Sequence, residues 1–80
     1  MLKKIPVEPQ QLADLRKELF EFGVSYSTIS KFSRYSETTT SLVMRGIIPV
    51  NEKNIAIISW ACKLRDQHRN FAKEKIKDLI

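Results

Sequence analysis

Apolar residues recur at helical spacing in four separate stretches of this chain, and the breaks between them carry recognisable start and stop signals. Leu12, Leu15, Leu19 and Phe22 form the first stripe, with Asp14, Arg16, Lys17, Glu18 and Glu21 on the other side. Glu8-Pro9 suits a helix start, because proline at the first helical position loses no needed hydrogen bond. Gly23 suits the stop, since it takes positive φ without strain. The pattern therefore predicts a helix over 9–22, preceded by a short arm, 1–7, that carries Lys3 and Lys4 and is interrupted by Pro6.

Ser25 is placed to cap a second helix that runs to about Arg34, with Ile29, Phe32 and Ser33 facing inward. Tyr35 falls in the following turn, where its ring is expected to fill the angle between two helices. Ser36 caps a third helix, with Thr39 three residues on as a partial capping box. Val43 is its surest inward residue, followed by Thr40 and Met44. Thr38, Thr39 and Thr40 are β-branched, so this helix depends on packing rather than on its own preference. Gly46 ends it, and Ile47, Ile48, Pro49 and Val50 form an apolar connection expected to pack under the domain. Asn51 is expected to cap a fourth helix running to Leu79. Its first half carries Ile55, Ile58, Ala61, Cys62 and Leu64, with Trp60 nearby, and closes the core. Its second half is mostly charged, with a thin apolar strip of Phe71, Ala72, Ile76 and Leu79. Such a strip needs a cover, either a second copy of the chain, which is the favoured reading, or helix 1 of the same chain.

Eighty residues make one domain, 1–80, with a small core and marginal stability unless it packs efficiently or oligomerises. The net charge of +5 and a pI near 9.6 suit a polyanionic partner. Many small proteins are basic, so charge alone decides little. One cysteine, Cys62, excludes an intrachain disulfide and is expected to be a buried core thiol. One cysteine and one histidine, His68, also argue against structural zinc. No apolar run approaches the roughly 20 residues of a membrane span. The basic start has no sufficient apolar segment behind it for a signal peptide, so the cytoplasm is the expected compartment. His68 sits among Arg65, Gln67 and Arg69 without a Gly-rich loop, paired acids or a ligand set, so neither catalysis nor a cofactor, metal or small-molecule ligand is expected.

Residues 29–46 read ISKFSRYSETTTSLVMRG. Ile29, Phe32, Tyr35, Ser36, Thr39, Val43 and Gly46 fall without a gap at the apolar, capping and terminating positions of a helix-turn-helix, and the segment resembles the Cro and phage-repressor (Xre-type) family and the same motif in the lactose-repressor family. The close match covers about a quarter of the chain, and with the flanking helices the resemblance extends to about two thirds. It departs at Arg34, where glycine is usual and a left-handed conformation is expected, at Ser30, where a small alanine is usual, and at Thr40, where an aliphatic residue is usual.

The resemblance implies an all-α, compact four-helix helix-turn-helix domain, lambda-repressor-like, with the motif at 25–46 and an extended C-terminal helix at 51–80. Helix 3 would then lie in the major groove of double-stranded DNA, with Ser36, Glu37, Thr38, Ser41 and Leu42 facing bases. Glu37 could accept from a cytosine amino group, Thr38 and Ser41 bond either way, and Leu42 makes apolar contact only. Ser25, Tyr26, Ser27, Arg34 and Arg45 would meet phosphates, with Lys31 nearby. The implied function is a small sequence-specific transcriptional regulator, a repressor of phage or mobile-element type, acting as a homodimer. The alternative is a protein-interaction module, antitoxin-like or anti-repressor-like, on the same scaffold. If the C-terminal strip is the dimer seam, Phe71→Glu combined with Ile76→Glu yields a monomer in sedimentation, and unchanged sedimentation rules the seam out.

Overall fold

The computed structural model describes the backbone of residues 3–79 and the side chains of residues 3–73. Four helices follow one another: α1 (Pro9–Glu21), α2 (Tyr26–Ser33), α3 (Glu37–Met44) and α4 (Ile55–Leu79). No strand forms among the described residues, so the architecture is all-helical. Among the described residues, no helix is long and apolar enough to cross a membrane.

The helix ends follow from local chemistry. At the end of α1 the Gly23 amide donates to the Phe20 carbonyl (3.0 Å) and the Val24 amide to the Leu19 carbonyl (2.8 Å), with Gly23 at φ +77°. At the end of α3 the Gly46 amide donates to the Val43 carbonyl (3.0 Å) and the Ile47 amide to the Leu42 carbonyl (2.9 Å), with Gly46 at φ +76°. Both are Schellman closures, which satisfy carbonyls that a helix end otherwise leaves bare. The end of α3 is also tied to α1: Arg16 donates from Nη1 to the Met44 carbonyl at 2.8 Å. Arg16 is thus half-buried rather than simply part of a solvated face.

Asn51 caps the turn that leads into α4: its carbonyl accepts from the Ile55 amide at 3.0 Å, and the regular helix begins at Ile55. Two asparagines hold the intervening turn by exchanging bonds. The Asn51 Oδ1 accepts from the amides of Lys53 and Asn54 (both 2.9 Å), and the Asn54 Oδ1 accepts from the Asn51 amide (2.8 Å). The buried Asn54 also donates from Nδ2 to the Pro49 carbonyl at 3.1 Å. The N-terminal arm is pinned beside this turn. The Ile5 amide donates to the Val50 carbonyl (2.9 Å), the Glu52 amide donates to the Lys3 carbonyl (3.2 Å), and Ile5 and Val7 pack on the core.

One cluster unites all four helices: Leu12, Leu15 and Leu19 of α1, Ile29 of α2, Val43 and Met44 of α3, and Ile57, Ile58, Ala61 and Leu64 of α4. Val24 and Val50 join it from the connections. Phe32 does not, contrary to its position in the apolar pattern. It is 48% exposed and stacks on Trp60 with centroids 5.0 Å apart, while the Lys63 ammonium lies 4.6 Å from the indole centroid. α2 has only eight residues and buries one of them, Ile29, so its second turn meets the rim of the core instead of its centre. The connection 47–50 is also less buried than expected. Ile47 is 56% exposed and Pro49 is exposed, and only Val50, held by the arm, is buried. Cys62 is half-buried rather than a fully buried core thiol, because it lines a groove between α1 and α4 with Leu15, Glu18 and Arg69.

α4 is clasped to α1 beyond the core. Glu18 accepts from Arg69 Nε (2.7 Å) and Nη2 (2.6 Å), with Arg65 Nε at 3.8 Å, and Phe22 stacks on His68 at 5.4 Å. The bonds that Arg69 donates to Glu18 hold its guanidinium above the usual arginine pKa. Past this clasp Phe71 (58% exposed) and Ala72 are exposed, while the strip residues Ile76 and Leu79 lie outside the described side chains.

Thr40 is completely buried, and its hydroxyl oxygen has no hydrogen-bond partner. Burying an unsatisfied hydroxyl costs about 1–3 kcal/mol. Thr40→Val keeps the shape and removes the orphan, so it is expected to stabilise the fold by about 1 kcal/mol or more. A raised urea midpoint at constant slope is the expected readout, and a lowered midpoint contradicts it.

Candidate nucleic-acid interface

The α2–α3 unit is built from two capped helices and a three-residue turn. Ser25 Oγ accepts from the Thr28 amide at 3.3 Å and starts α2. Ser30 Oγ donates to the Ser27 carbonyl at 2.7 Å, which keeps that small side chain folded against its own helix. Arg34 closes α2 in the left-handed region (φ 65°, ψ 18°), with its amide on the Ser30 carbonyl at 2.9 Å. It is the only non-glycine residue of positive φ among the described residues. The half-buried Tyr35 packs against the core from within the turn, as its position in the sequence suggests. Ser36 Oγ then accepts from the Thr39 amide (3.1 Å) and donates to Thr39 Oγ1 (2.9 Å). Thr39 thus accepts from the capping hydroxyl, where a full capping box would send the third residue's side chain back to the Ser36 amide.

Helical rotation sorts the residues of α3. Thr40, Val43 and Met44 are buried, while Glu37 and Thr38 are exposed and Ser41 and Leu42 half-buried. A shallow concavity of about 400 Å³ lies over the outer side, lined by Tyr26 of α2, by Glu37, Thr38, Ser41 and Leu42 of α3, and by Arg45 just past its end. Four of the five residues expected to face bases therefore share one surface with two of the five expected to meet phosphates. Ser36 stands at the adjoining N-cap, Ser25 and Ser27 at the start of α2, and the exposed Arg34 at the turn; none of these lines the concavity.

Among the described residues, Lys31, Arg34, Glu37 and Arg45 make no ion pair, in contrast to the Glu18, Arg65, Asp66 and Arg69 network. Arg45, the cation that lines the concavity, thus has no ion-pair partner among the described residues, and Glu37 lines the same concavity. Also among the described residues, no three His, Cys, Asp or Glu side chains group as metal ligands.

The pattern of apolar residues gave no role to Phe20. Its ring meets Tyr26 edge-on at 5.6 Å and an interplanar angle of 66°, and it is 59% exposed. A large apolar residue one position off the stripe of α1 was the available signal. The ring braces Tyr26 at the wall of the concavity from outside the α2–α3 unit.

Comparison with protein-family models, with curated proteins and with solved structures gives no match for this chain.

Left-handed backbone costs a non-glycine residue roughly 1 kcal/mol. Arg34→Gly relieves that strain but loosens the unfolded chain, so a net gain of about 0.5 kcal/mol is expected in thermal or urea unfolding. A net loss would show that the Arg34 side chain stabilises the turn by more than its backbone strains it.

Proposed function

We propose that the chain is a small sequence-specific regulator that binds double-stranded DNA through a lambda-repressor-like helix-turn-helix, with α3 in the major groove. The observation that carries this reading is the concavity on the outer side of α3, where short polar side chains lie between Tyr26 at one wall and Arg45 beyond the helix end. A reading helix needs base-accessible side chains on a support that keeps its own inner residues dry, and the buried Thr40, Val43 and Met44 provide that support.

In this reading Ser25, Tyr26 and Ser27 bring hydroxyls and first-turn amides of α2 to the phosphates, and Arg34 and Arg45 add charge. Neutralising phosphates releases counterions, so affinity falls steeply as salt rises. Glu37, Thr38, Ser41 and Leu42 distinguish sequences but add little non-specific affinity, because none of them is cationic. One α2–α3 unit gives modest affinity, and a homodimer on a two-fold operator multiplies it. Repression by occlusion needs nothing beyond such binding.

A protein-interaction module is the second reading, favoured by the exposed stack of Phe32 on Trp60 with Lys63 beside it. Titrating isotope-labelled protein with a duplex at low and moderate salt separates the two. Salt-sensitive amide shifts in 25–27 and 36–45 support DNA docking; absence of shifts at low salt, or shifts confined to α4, supports the protein partner.

On a selected operator, Thr38→Ala is expected to reduce discrimination among sequences with the fold intact, a loss of about 1 kcal/mol or more at one position. Arg45→Ala is expected to weaken all duplexes alike and to lower the salt slope by about one. Wild-type binding by both variants means that the reading face is assigned wrongly.

A further inference from the structure

We infer that the α3 face reads thymine methyl groups and cytosine amino groups, and makes no bidentate contact to purines; this specificity rests on the DNA-binding reading above. α3 consists of Glu37, three threonines, Ser41, Leu42, Val43 and Met44. It holds no Arg, Lys, Asn, Gln or His. Purines are read in the major groove by bidentate partners, Arg or Lys on guanine O6 and N7, Asn or Gln on adenine N6 and N7. Such partners are missing along the whole helix.

What α3 offers the concavity instead is carbon, the short hydroxyls of Thr38 and Ser41, and a single carboxylate. Thr38 and Leu42 are one helical turn apart and both line it, so a γ-methyl and an isobutyl group lie along one stripe. Glu37 and Ser41 form the neighbouring stripe at the same spacing. Two further hydroxyls of α3 are withdrawn from readout: Thr39 Oγ1 is engaged by Ser36 Oγ, and Thr40 is wholly buried. The Glu37 carboxylate accepts only, so it suits the cytosine N4 amino group and repels the acceptor pair of guanine. Thymine is the base that presents a methyl group in this groove, and apolar carbon is its partner. Arg45 stands at the far end of the concavity and is the one guanidinium that lines it.

The test uses the full chain and a duplex selected from a random pool. Deoxyuridine replaces each thymidine in turn, which deletes one methyl group and keeps the pairing. Burying one methyl-sized group corresponds to about fourfold in affinity, so at least one thymine in each half-site is expected to bind about fourfold more weakly as uracil. Leu42→Ala or Thr38→Ser should shrink that penalty towards onefold at the thymine each contacts. Thr38 is exposed, so its variant is available even if Leu42→Ala disturbs the fold. A duplex that binds with no uracil penalty anywhere overturns the inference. So does a penalty that stays equal in wild type and in both variants, since the methyl then acts through DNA shape. A site that depends on guanine N7, detected by 7-deazaguanine, and ignores uracil overturns it as well. These three results leave DNA binding standing, whereas failure to retain any duplex at low salt overturns that reading and this one together.

Discussion

The shared burial of Leu19, Ile29, Val43, Met44 and Ile57 in one cluster is the contact on which the rest of the molecule depends. α2 and α3 have eight residues each, and helices this short do not persist alone in water. α3 is further weakened by three consecutive threonines. Its conformation is therefore borrowed from α1 and α4, whose longer stripes supply most of the apolar wall. The Arg16 bond to the Met44 carbonyl adds a polar tie at the end of α3, where a cation also faces the negative end of the helix dipole.

Dependence on packing constrains where function can sit. With Thr40, Val43 and Met44 committed to the interior, a change there moves the whole helix, and only the outer positions are free to differ in chemistry. Capping does the same for position along the axis. Ser36 and the Schellman closure at Gly46 fix both ends, which leaves little room for α3 to slide relative to Tyr26 and Arg45. The concavity is thus a consequence of the core and the caps, and its shape does not rely on direct bonds between the residues that line it.

Much of this was legible in the sequence. The helix of α1, both glycine stops and the serine caps follow from local rules, because each is decided by neighbours within a few residues, and the left-handed Arg34 was expected from the helix-turn-helix resemblance. Four of the residues expected to face bases lie together for the same reason, since helical rotation alone places them. What escaped was set by contacts distant in sequence. Phe32 fits the inward pattern of α2, yet the direction of α4 brings Trp60 to it at the surface. Arg16 and Glu18 look like ordinary surface charges until Met44 and Arg69 are known to face them.

The threonine run shows how far identical residues can be driven apart by position. Thr38 is exposed in the concavity, Thr39 receives both the Ser36 cap and its hydroxyl, and Thr40 is sealed in the core without a partner. Successive residues of a helix point about 100° apart, so three neighbours sample the outer face, the cap and the interior. Composition is blind to this division. A shift of α3 by one residue would move Thr39 into the core, Thr38 to the cap and Thr40 to the outer face, which still leaves a threonine in the core and one at the cap. Val43 and Met44 break that degeneracy, because the same shift would carry Leu42 inward and Met44 away from the interior. The register of α3 is therefore fixed at its C-terminal half, by its inward apolar residues, and the threonines take their three roles from it.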